Sequence, residues 1–356
     1  MIFFTLLICF MISILITPLV KKLAYKIRAT DRPNKRKVHQ TIMPRLGGLA
    51  IYIAFLAGVL LLQPENPFAA SIMIGSGIIV ISGILDDIYE LSAKIKLLAQ
   101  IVAAAIIVLY GGLQITFINL PFGGLFEFGY LSIPFTFLWI IGITNAINLI
   151  DGLDGLAGGV SSIALVAISG MAFIMGNLYV VTIGSILLVS TIGFLYHNFY
   201  PAKIFMGDTG ALFLGFMISV LSLLGFKNIT FVSFIVPIII LGVPISDTIF
   251  AILRRIINKQ PLSSPDKSHL HHCLLRLGYS HRETVLIIYA MAALFGVVAV
   301  VFSQAKLWGA MLLGSVLLFF IEIIAEKIGL FGREFNPLLK LLRNFRFSFD
   351  KNRKKV

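Results

Sequence analysis

The stretch FGYLSIPFTFLWIIGITNAINLIDGLDGLAGG, residues 128–159, decides the fold class. It has no Asp, Glu, Lys or Arg before Asp151, and the chain after Asp154 has none from residue 155 to residue 202. A hydrocarbon core of about 30 Å requires roughly 20 apolar residues in a helix. The stretch therefore predicts one membrane-spanning helix before the two aspartates and two helices after them.

The composition of the whole chain agrees with a membrane protein. Of its 356 residues, 58% are hydrophobic and 13% are charged, and the mean hydropathy is +0.99. Soluble domains have a very different balance. We predict an all-α polytopic membrane protein with about eleven spans, ten being the alternative count. The predicted spans lie near 2–20, 46–63, 67–86, 97–112, 131–148, 156–174, 178–197, 208–226, 229–250, 284–303 and 306–326.

The basic residues predict the orientation of these spans. Short cytoplasmic loops keep Lys and Arg, whereas translocated loops do not. With the N-terminus outside, 27 of the 29 basic residues fall on the cytoplasmic side, and only Lys227 and Lys306 fall outside. The net charge of +13 therefore requires no nucleic acid. We expect a single membrane domain over residues 1–326 and a basic cytoplasmic tail over 327–356.

One outward connection differs from the other loops. Residues 114–133 carry aromatic and β-branched side chains around Pro121 and Gly123. This pattern predicts a short external β-hairpin.

The acidic residues of the spans collect at the predicted cytoplasmic boundary. Asp86 and Asp87 end the third span, Asp151 and Asp154 follow the fifth, and Asp208 begins the eighth. Carboxylates at one level suit a hard cation such as Mg²⁺, with Mn²⁺ as the alternative, and Mg²⁺ usually shares its shell with substrate phosphates. Each acid alone is also explained as a helix cap, and in that interpretation Asp208 caps its own span.

Four of the six histidines lie in the inner loop between the ninth and tenth spans. The segment HLHHC invites a zinc site, but adjacent ligands on a short helix do not easily form a tetrahedron. Its apolar stripe predicts a short surface helix. Either His271 and His272 donate hydrogen bonds to phosphate or sugar oxygens, or the helix is only a surface element.

Two further features stay open at this point. Asp247, near the end of the ninth span, is either another ligand or a helix-end cap. The basic residues of the first inner loop either bind a diphosphate or only orient the spans. These basic residues are Arg32, Lys35, Arg36, Lys37 and Arg45.

Five motifs occur in order along almost the whole chain. They are DRPNKRKVHQ…PRLGG from residue 31, GILDDIYELSAKIKLLAQ from 83, NAINLIDGLDGLAGG from 145, FMGDTGALFLG from 205 and SPDKSHLHHCLLRLG from 264. Together they resemble the polyprenyl-phosphate N-acetylhexosamine-1-phosphate transferase superfamily, most closely its bacterial WecA/TagO type. The resemblance implies transfer of N-acetylglucosamine 1-phosphate from a UDP-N-acetylhexosamine to undecaprenyl phosphate, with release of UMP. It also implies a bacterial inner-membrane location with a cytoplasmic active site, and it is compatible with a homodimer.

The resemblance also implies a role for each matching residue. Asp208 stands at the position of the magnesium ligand, and Asp86 and Asp87 match the paired aspartates that bind or activate the lipid phosphate. The implied substrate-binding residues, with Phe205 stacking on the uracil, are Asn148, Asp151, Asp154, Phe205, His271 and His272.

The departures from the family pattern bear on the donor. HLHHCLL fits the branch that uses simple UDP-N-acetylhexosamines, which makes UDP-MurNAc-pentapeptide the alternative donor. A lysine of the peptide-sugar branch has no clear counterpart, and Lys37 is a weak candidate for it. We expect in-line attack by the lipid phosphate, with a covalent intermediate on Asp86 or Asp87 ranked second.

A membrane transporter is the competing class of protein. Transporters often bury charges within their spans. Here the spans are almost free of charge apart from Glu322 and Glu326, and the acids gather at one face. This arrangement favours an enzyme.

Overall fold

The computed structural model describes residues 1–31, 42–120, 123–226, 231–261, 266, 268–330 and 340. A π-helical turn at Ile106–Tyr110 extends α4, and a 3₁₀ turn at Gly129–Leu131 precedes α5. The α-helices are α1 Ile2–Lys26, α2 Gly47–Leu62, α3 Ala69–Tyr89, α4 Ala93–Ala105, α5 Ser132–Ile150, α6 Leu156–Ile174, α7 Leu178–Asn198, α8 Gly207–Phe226, α9 Phe231–Ile240, α10 Gly242–Ile257, α11 Leu270–Arg276, α12 His281–Gln304 and α13 Leu307–Ile328.

The helices confirm the predicted all-α polytopic membrane fold. Within the described ranges, nine helical segments are long and apolar enough to cross a membrane. The pair α9 and α10 would make a tenth, and α2 is a shorter apolar helix. Each of the eleven predicted spans coincides with one of these helices or with that pair. The orientation of the spans stays a prediction.

The ninth span is broken, so its prediction as a single helix was wrong. The axes of α9 and α10 differ by 81° across the break at Leu241. Pro237 lies inside α9 and Pro244 in the first turn of α10. Proline lacks an amide donor and clashes with the preceding turn, so it disrupts a continuous helix but is tolerated in a first turn.

Helix α10 buries its charged side chains and exposes its apolar ones, the opposite of a helix on a soluble protein. Asp247, Arg254 and Arg255 are buried against the protein, whereas Ile252 and Ile256 are exposed. An apolar outer face with polar groups turned inward is the arrangement that a hydrocarbon environment requires. The polar face of α10 is therefore available to hold neighbouring loops.

The central helix of the bundle is α8, whose side chains are almost all buried where they are described. It packs on α2, α3, α5 and α6. Glycines allow the closest approaches, because a Cβ at Gly48 would collide with the backbone of Gly210 and a Cβ at Gly83 with that of Thr209. Small residues at helix contacts of this kind are common in membrane proteins. They bring the starts of α2 and α8 and the end of α3 to one place.

Two short β-ribbons accompany the helices. Strand β1, Thr30–Asp31, pairs antiparallel with β2, Met43–Pro44. The chain after β2 runs beside Phe205, whose amide donates to the Pro44 carbonyl at 2.8 Å.

The second ribbon joins β3, Phe117–Asn119, to β4, Leu125–Glu127, in antiparallel register. Ile118 pairs with Phe126 at its centre. This ribbon confirms the hairpin predicted for residues 114–133.

Some predicted features lie outside the described residues or away from the aspartates. Arg32, Lys35, Arg36 and Lys37 fall in the undescribed segment 32–41, and most of the predicted tail falls beyond residue 330. Glu322 of α13 lines an apolar cavity of about 630 Å³ between α10 and α13. None of the predicted site residues lines this cavity.

Candidate active site

The predicted site residues converge on one cavity of about 540 Å³. Side chains from the ends of α3, α5, α8, α11 and α12 reach it. Asp86 and Asn148 do not line the cavity. Both contact Asp208, which does line it. The predicted residues that line the cavity are Asp87, Asp151, Asp154, Phe205, Asp208, His271 and His272.

Three carboxylates form an acidic cluster beside this cavity. One oxygen from each of Asp86, Asp87 and Asp208 lies within 4.8 Å of the others. The Lys96 ammonium binds Asp208 Oδ2 at 2.8 Å and Asp86 Oδ2 at 3.4 Å. The Asn148 side chain also interacts with Asp208. Three helices and the end of α5 thus contribute to a single charged centre.

Sequence reasoning missed Lys96. It lies in the first turn of α4, ten residues after Asp86, within the motif GILDDIYELSAKIKLLAQ. From the sequence, Lys96 counts only among the basic residues that orient the spans. A usable signal was present, because a lysine near the start of a span lies close to the same boundary as the acids.

The cap of α8 comes from Asp87 of α3. Its Oδ1 accepts the amide proton of Asp208 at 3.0 Å, and its Oδ2 accepts the amide proton of Thr209 at 3.1 Å. The interpretation that Asp208 caps its own helix was therefore wrong. A helix N-terminus carries partial positive charge, which the buried carboxylate of Asp87 compensates. The Asp208 carboxylate faces Lys96 and the cavity instead.

Arg45, the residue directly after β2, fixes the end of α3. Its Nη2 donates to the Asp86 carbonyl at 3.1 Å and its Nε to the Asp87 carbonyl at 3.3 Å. The last carbonyls of a helix have no partner within the helix, so a guanidinium there satisfies them and opposes the helix dipole. Arg45 also lines the cavity.

The turn between α5 and α6 places two more carboxylates in the cavity wall. Asp154 Oδ2 accepts the amide proton of Ala202 at 2.9 Å, and the Gly155 amide donates to Asn198 Oδ1 at 3.1 Å. Burial raises the pKa of Asp151 to about 8, and the carboxylates of Asp208 and Asp87 act in the same direction. A bound cation, such as a metal ion carried by a phosphate, would lower this pKa again.

Asp247 caps the start of α11 and does not line the active-site cavity. Its Oδ1 accepts the amide proton of Leu270 at 2.8 Å, and its Oδ2 lies 2.9 Å from His269 Nδ1. It therefore holds the start of α11 against α10. Asp247 thus lies within α10, outside the acidic cluster, and its carboxylate binds the start of a different helix.

The paired histidines of α11 reach the cavity. His271 is almost fully buried, its Nδ1 has no partner in the described structure, and burial lowers its pKa to about 3. Burial also lowers the pKa of His272, whose ring centroid lies 4.2 Å from that of His271. Both rings are therefore neutral near pH 7 and can donate through one nitrogen each. A Cβ at Gly152 would collide with the His271 ring.

Sequence reasoning also missed a histidine and a tyrosine in the cavity wall. His281, the first residue of α12, accepts the amide proton of Asp154 on its Nε2 at 3.0 Å. Its ring stacks on Tyr200, with the centroids 4.5 Å apart. Neither residue stood out in the sequence, because their partners are distant along the chain.

The acidic cluster has the donor set of a magnesium site. All its ligand atoms are carboxylate oxygens, which Mg²⁺ prefers. Asp87 already accepts three hydrogen bonds from α8, including one from Thr209 Oγ1, so Asp86 and Asp208 are the freer ligands. The close group of metal-binding side chains formed by the described residues contains no histidine or cysteine. The cluster therefore fits Mg²⁺ better than zinc.

Comparisons with known proteins agree with this arrangement. Residues 69–226 match the family described as Glycosyl transferase family 4. The chain is 51% identical over 344 residues to the probable undecaprenyl-phosphate N-acetylglucosaminyl 1-phosphate transferase of Bacillus subtilis (strain 168), covering 94% of this chain and 96% of that one. It is 34% identical to the decaprenyl-phosphate N-acetylglucosaminephosphotransferase of Mycobacterium leprae (strain TN), covering 85% and 84%. It is 28% identical to the undecaprenyl-phosphate alpha-N-acetylglucosaminyl 1-phosphate transferase of Escherichia coli (strain K12), covering 82% and 81%.

Proposed function

Because the chain belongs to glycosyl transferase family 4, we propose that it transfers N-acetylglucosamine 1-phosphate from UDP-N-acetylglucosamine to undecaprenyl phosphate. The reaction depends on Mg²⁺ and takes place at the cytoplasmic face of a bacterial cell membrane. The names of the relatives from Bacillus subtilis and Escherichia coli support the transferred group and the lipid acceptor. The basic residues, of which 27 of 29 sort to one side, support the cytoplasmic face.

One observation carries the proposal. Lys96 lies between the carboxylates of Asp86 and Asp208, next to a cavity of about 540 Å³. Cavities of this size are typical of small-molecule sites. The carboxylates of this centre can bind a metal ion, and its lysine can bind a phosphate. Such a centre suits a substrate that carries phosphate groups together with a metal ion. The UDP-sugar supplies the diphosphate, and the cavity wall around Asp151, Asp154 and Phe205 receives its nucleotide and sugar.

The acceptor reaches the same centre from the bilayer. Helix α4 carries Lys96 toward the acids, while its neighbours Ile95 and Leu98 are exposed. A lysine is a common phosphate-binding group. The prenyl chain therefore lies along the apolar surface of α4 while the phosphate contacts Lys96.

The chemistry is an in-line displacement. An oxygen of undecaprenyl phosphate forms a bond to the β-phosphorus of the UDP-sugar, and the bond from that phosphorus to the bridging oxygen breaks. UMP leaves with the electron pair, and the product is a lipid diphosphate sugar. Asp208 and Asp86 would hold Mg²⁺, which would neutralise charge on the diphosphate. Lys96 holds the attacking phosphate, which is largely ionised near neutral pH and requires orientation more than a base.

The test uses the full-length protein purified in detergent. Undecaprenyl phosphate and radiolabelled UDP-N-acetylglucosamine are mixed with the protein and with either Mg²⁺ or EDTA. UDP-MurNAc-pentapeptide serves as the alternative donor, and Asp208→Asn as the matched variant. We expect label in the lipid phase only with Mg²⁺, and none from folded Asp208→Asn. Well-folded wild-type protein that labels no lipid with any donor would overturn the proposal.

A covalent intermediate on Asp86 or Asp87 is tested in the same preparation. Incubation with the labelled donor alone would leave label on the protein in a two-step path. We expect none, because Asp87 is engaged by α8 and Asp86 by Lys96.

A further inference from the structure

The turn that carries Asp154 is held by a helix that comes more than 120 residues later. His281 of α12 accepts the Asp154 amide proton on Nε2 at 3.0 Å. About two turns further along α12, the Tyr289 hydroxyl donates to the Gly155 carbonyl at 2.6 Å. Consecutive residues of the turn are thus bonded to the same helix.

The fit of α12 against this turn depends on small residues. A Cβ at Gly159 would collide with the Tyr289 ring, so α12 approaches α6 closely only because a glycine stands there. The start of α12 is fixed as well. Ser280 Oγ accepts the Glu283 amide proton at 3.3 Å, and Glu283 Oε2 accepts that of Ser280 at 2.8 Å. This capping box determines where His281, the first residue of the helix, is placed.

His281 also closes a ring of contacts in the cavity wall. Its imidazole stacks on Tyr200. The connection that contains Tyr200 is bound through the Ala202 amide to Asp154 Oδ2 at 2.9 Å. The Asp154 amide then returns to His281. Each member is therefore held by two others, and all four line the same cavity.

We propose that His281 is a positioning residue for the UDP-sugar, because it closes this ring of contacts and so fixes the wall that receives the donor. This inference rests on the proposed function for the identity of the donor. The imidazole acts through Nε2, which accepts the Asp154 amide proton. A rigid wall lowers the entropy cost of ordering the site when the donor binds. Opening the ring of contacts removes this advantage and therefore weakens donor binding.

The effect is specific for one of the two substrates. Among the contacts of the described residues, none joins His281, Tyr200 or Ala202 to Lys96, where the lipid phosphate binds. Opening the ring therefore raises the KM for UDP-N-acetylglucosamine and leaves the KM for undecaprenyl phosphate unchanged. A general loss of packing would change both constants or the melting temperature.

The experiment compares His281→Leu with His281→Gln in the full-length protein. Glutamine keeps an oxygen near the position of Nε2 that can accept the Asp154 amide proton, whereas leucine keeps only the bulk. His197→Leu is the control, because His197 at the end of α7 contacts the Ile14 carbonyl and does not line the cavity. We expect about a tenfold rise in donor KM for His281→Leu, the loss of roughly one hydrogen bond. His281→Gln should keep the donor KM close to that of the wild type, and His197→Leu should leave the donor KM unchanged.

Binding is measured in parallel by calorimetry with UDP-N-acetylglucosamine and with UMP, which separates affinity from turnover. Tyr200→Leu opens the same ring at another contact and replaces His281→Leu if that variant does not fold. A tenfold rise in acceptor KM, an unchanged donor KM, or no restoration by glutamine would each overturn the inference while the wild type stays active. A wild type that transfers no sugar at all, yet binds UDP-N-acetylglucosamine less tightly after His281→Leu, would count against the proposed function alone.

Discussion

Asp87 at the end of α3 and Thr209 in the first turn of α8 are joined by two hydrogen bonds to one oxygen. Thr209 donates its amide proton at 3.1 Å and its hydroxyl proton at 2.6 Å, both to Asp87 Oδ2. Asp87 also lies within the acidic cluster. The same carboxylate therefore joins two helices and borders the proposed metal site, whereas among the described residues the Asp208 carboxylate makes no such contact with the backbone of α8.

The two aspartates should thus differ in what they do for stability. In Asp87→Asn an NH₂ group replaces one acceptor and leaves a buried donor of α8 without a partner, which costs about 1–3 kcal/mol. We expect a lower melting temperature in detergent together with loss of activity. Asp208→Asn should lose activity and keep the melting temperature of the wild type. Equal melting temperatures for both variants would contradict the capping role of Asp87.

Lys96 and a divalent cation should compete for the same oxygens. Lys96 Nζ occupies Asp208 Oδ2 and Asp86 Oδ2. In Lys96→Met these carboxylates lose their counter-ion, so the metal-free protein should melt lower and Mg²⁺ should stabilise it more than it stabilises the wild type. Melting temperatures with EDTA and across a Mg²⁺ titration test this expectation. Lys94→Met, at an exposed position two residues earlier in α4, is the control and should respond to Mg²⁺ as the wild type does.

The contacts of Asp87 and Lys96 could be predicted only in part from the sequence. Asp86, Asp87 and Asp208 were predicted because each stands at the end of a charge-free run, and such runs determine where spans end. Which carboxylate caps α8 depends on how closely α3 approaches α8, and this approach is set by contacts such as Gly83 against Thr209. No local pattern contains that information.

A pair of amides, one buried and one half-buried, links α4 to α5. Asn145 Nδ2 donates to Gln100 Oε1 at 2.6 Å, one turn from Lys96 along α4 and one turn from Asn148 along α5. Asn145→Leu leaves the buried amide of Gln100 without this partner, at a cost of about 1–3 kcal/mol, and Gln100→Leu should cost less because Asn145 is half-buried and also donates to the Ile141 carbonyl. The double variant should cost less than the sum of the two, as expected for contacting residues. Melting temperatures of the four proteins give the cycle, and strict additivity would show that the pair contributes nothing.

Acid should destabilise the protein through His271. Its pKa is lowered to about 3 in the folded state by burial, whereas an unfolded chain binds this proton near pH 6.5. Stability is therefore complete above about pH 6.5 and decreases as the pH falls toward 3, by about 1.4 kcal/mol per unit. His271→Gln should reduce the loss of melting temperature between pH 7 and pH 5. If wild type and variant lose the same amount, the ring is not buried in its neutral form.

The spans were the most predictable part of the fold, and the ninth shows the limit. Hydropathy locates apolar segments, so every predicted span coincides with a helix or a helix pair. Hydropathy does not report the direction of a helix axis. The 81° bend at Leu241 follows from Pro237, Pro244 and the polar contacts of Asp247. Likewise, His281 and Tyr200 carried no recognisable pattern, because their roles arise only from contacts between distant parts of the chain.

Gly152 should be required for the position of His271. A Cβ built at Gly152 overlaps the His271 imidazole, so Gly152→Ala must displace that ring from the cavity wall. Gly152 lies in an exposed turn, where an added methyl group has little effect on the helices themselves. We expect transferase activity to fall by about tenfold or more, as for other small displacements in a site, with a nearly unchanged melting temperature. Gly170→Ala in α6, where a Cβ meets no atom within 4 Å, is the control and should keep full activity. Full activity in Gly152→Ala would mean that the reaction tolerates the displaced ring, and the role assigned to His271 from the family resemblance would then have to be withdrawn.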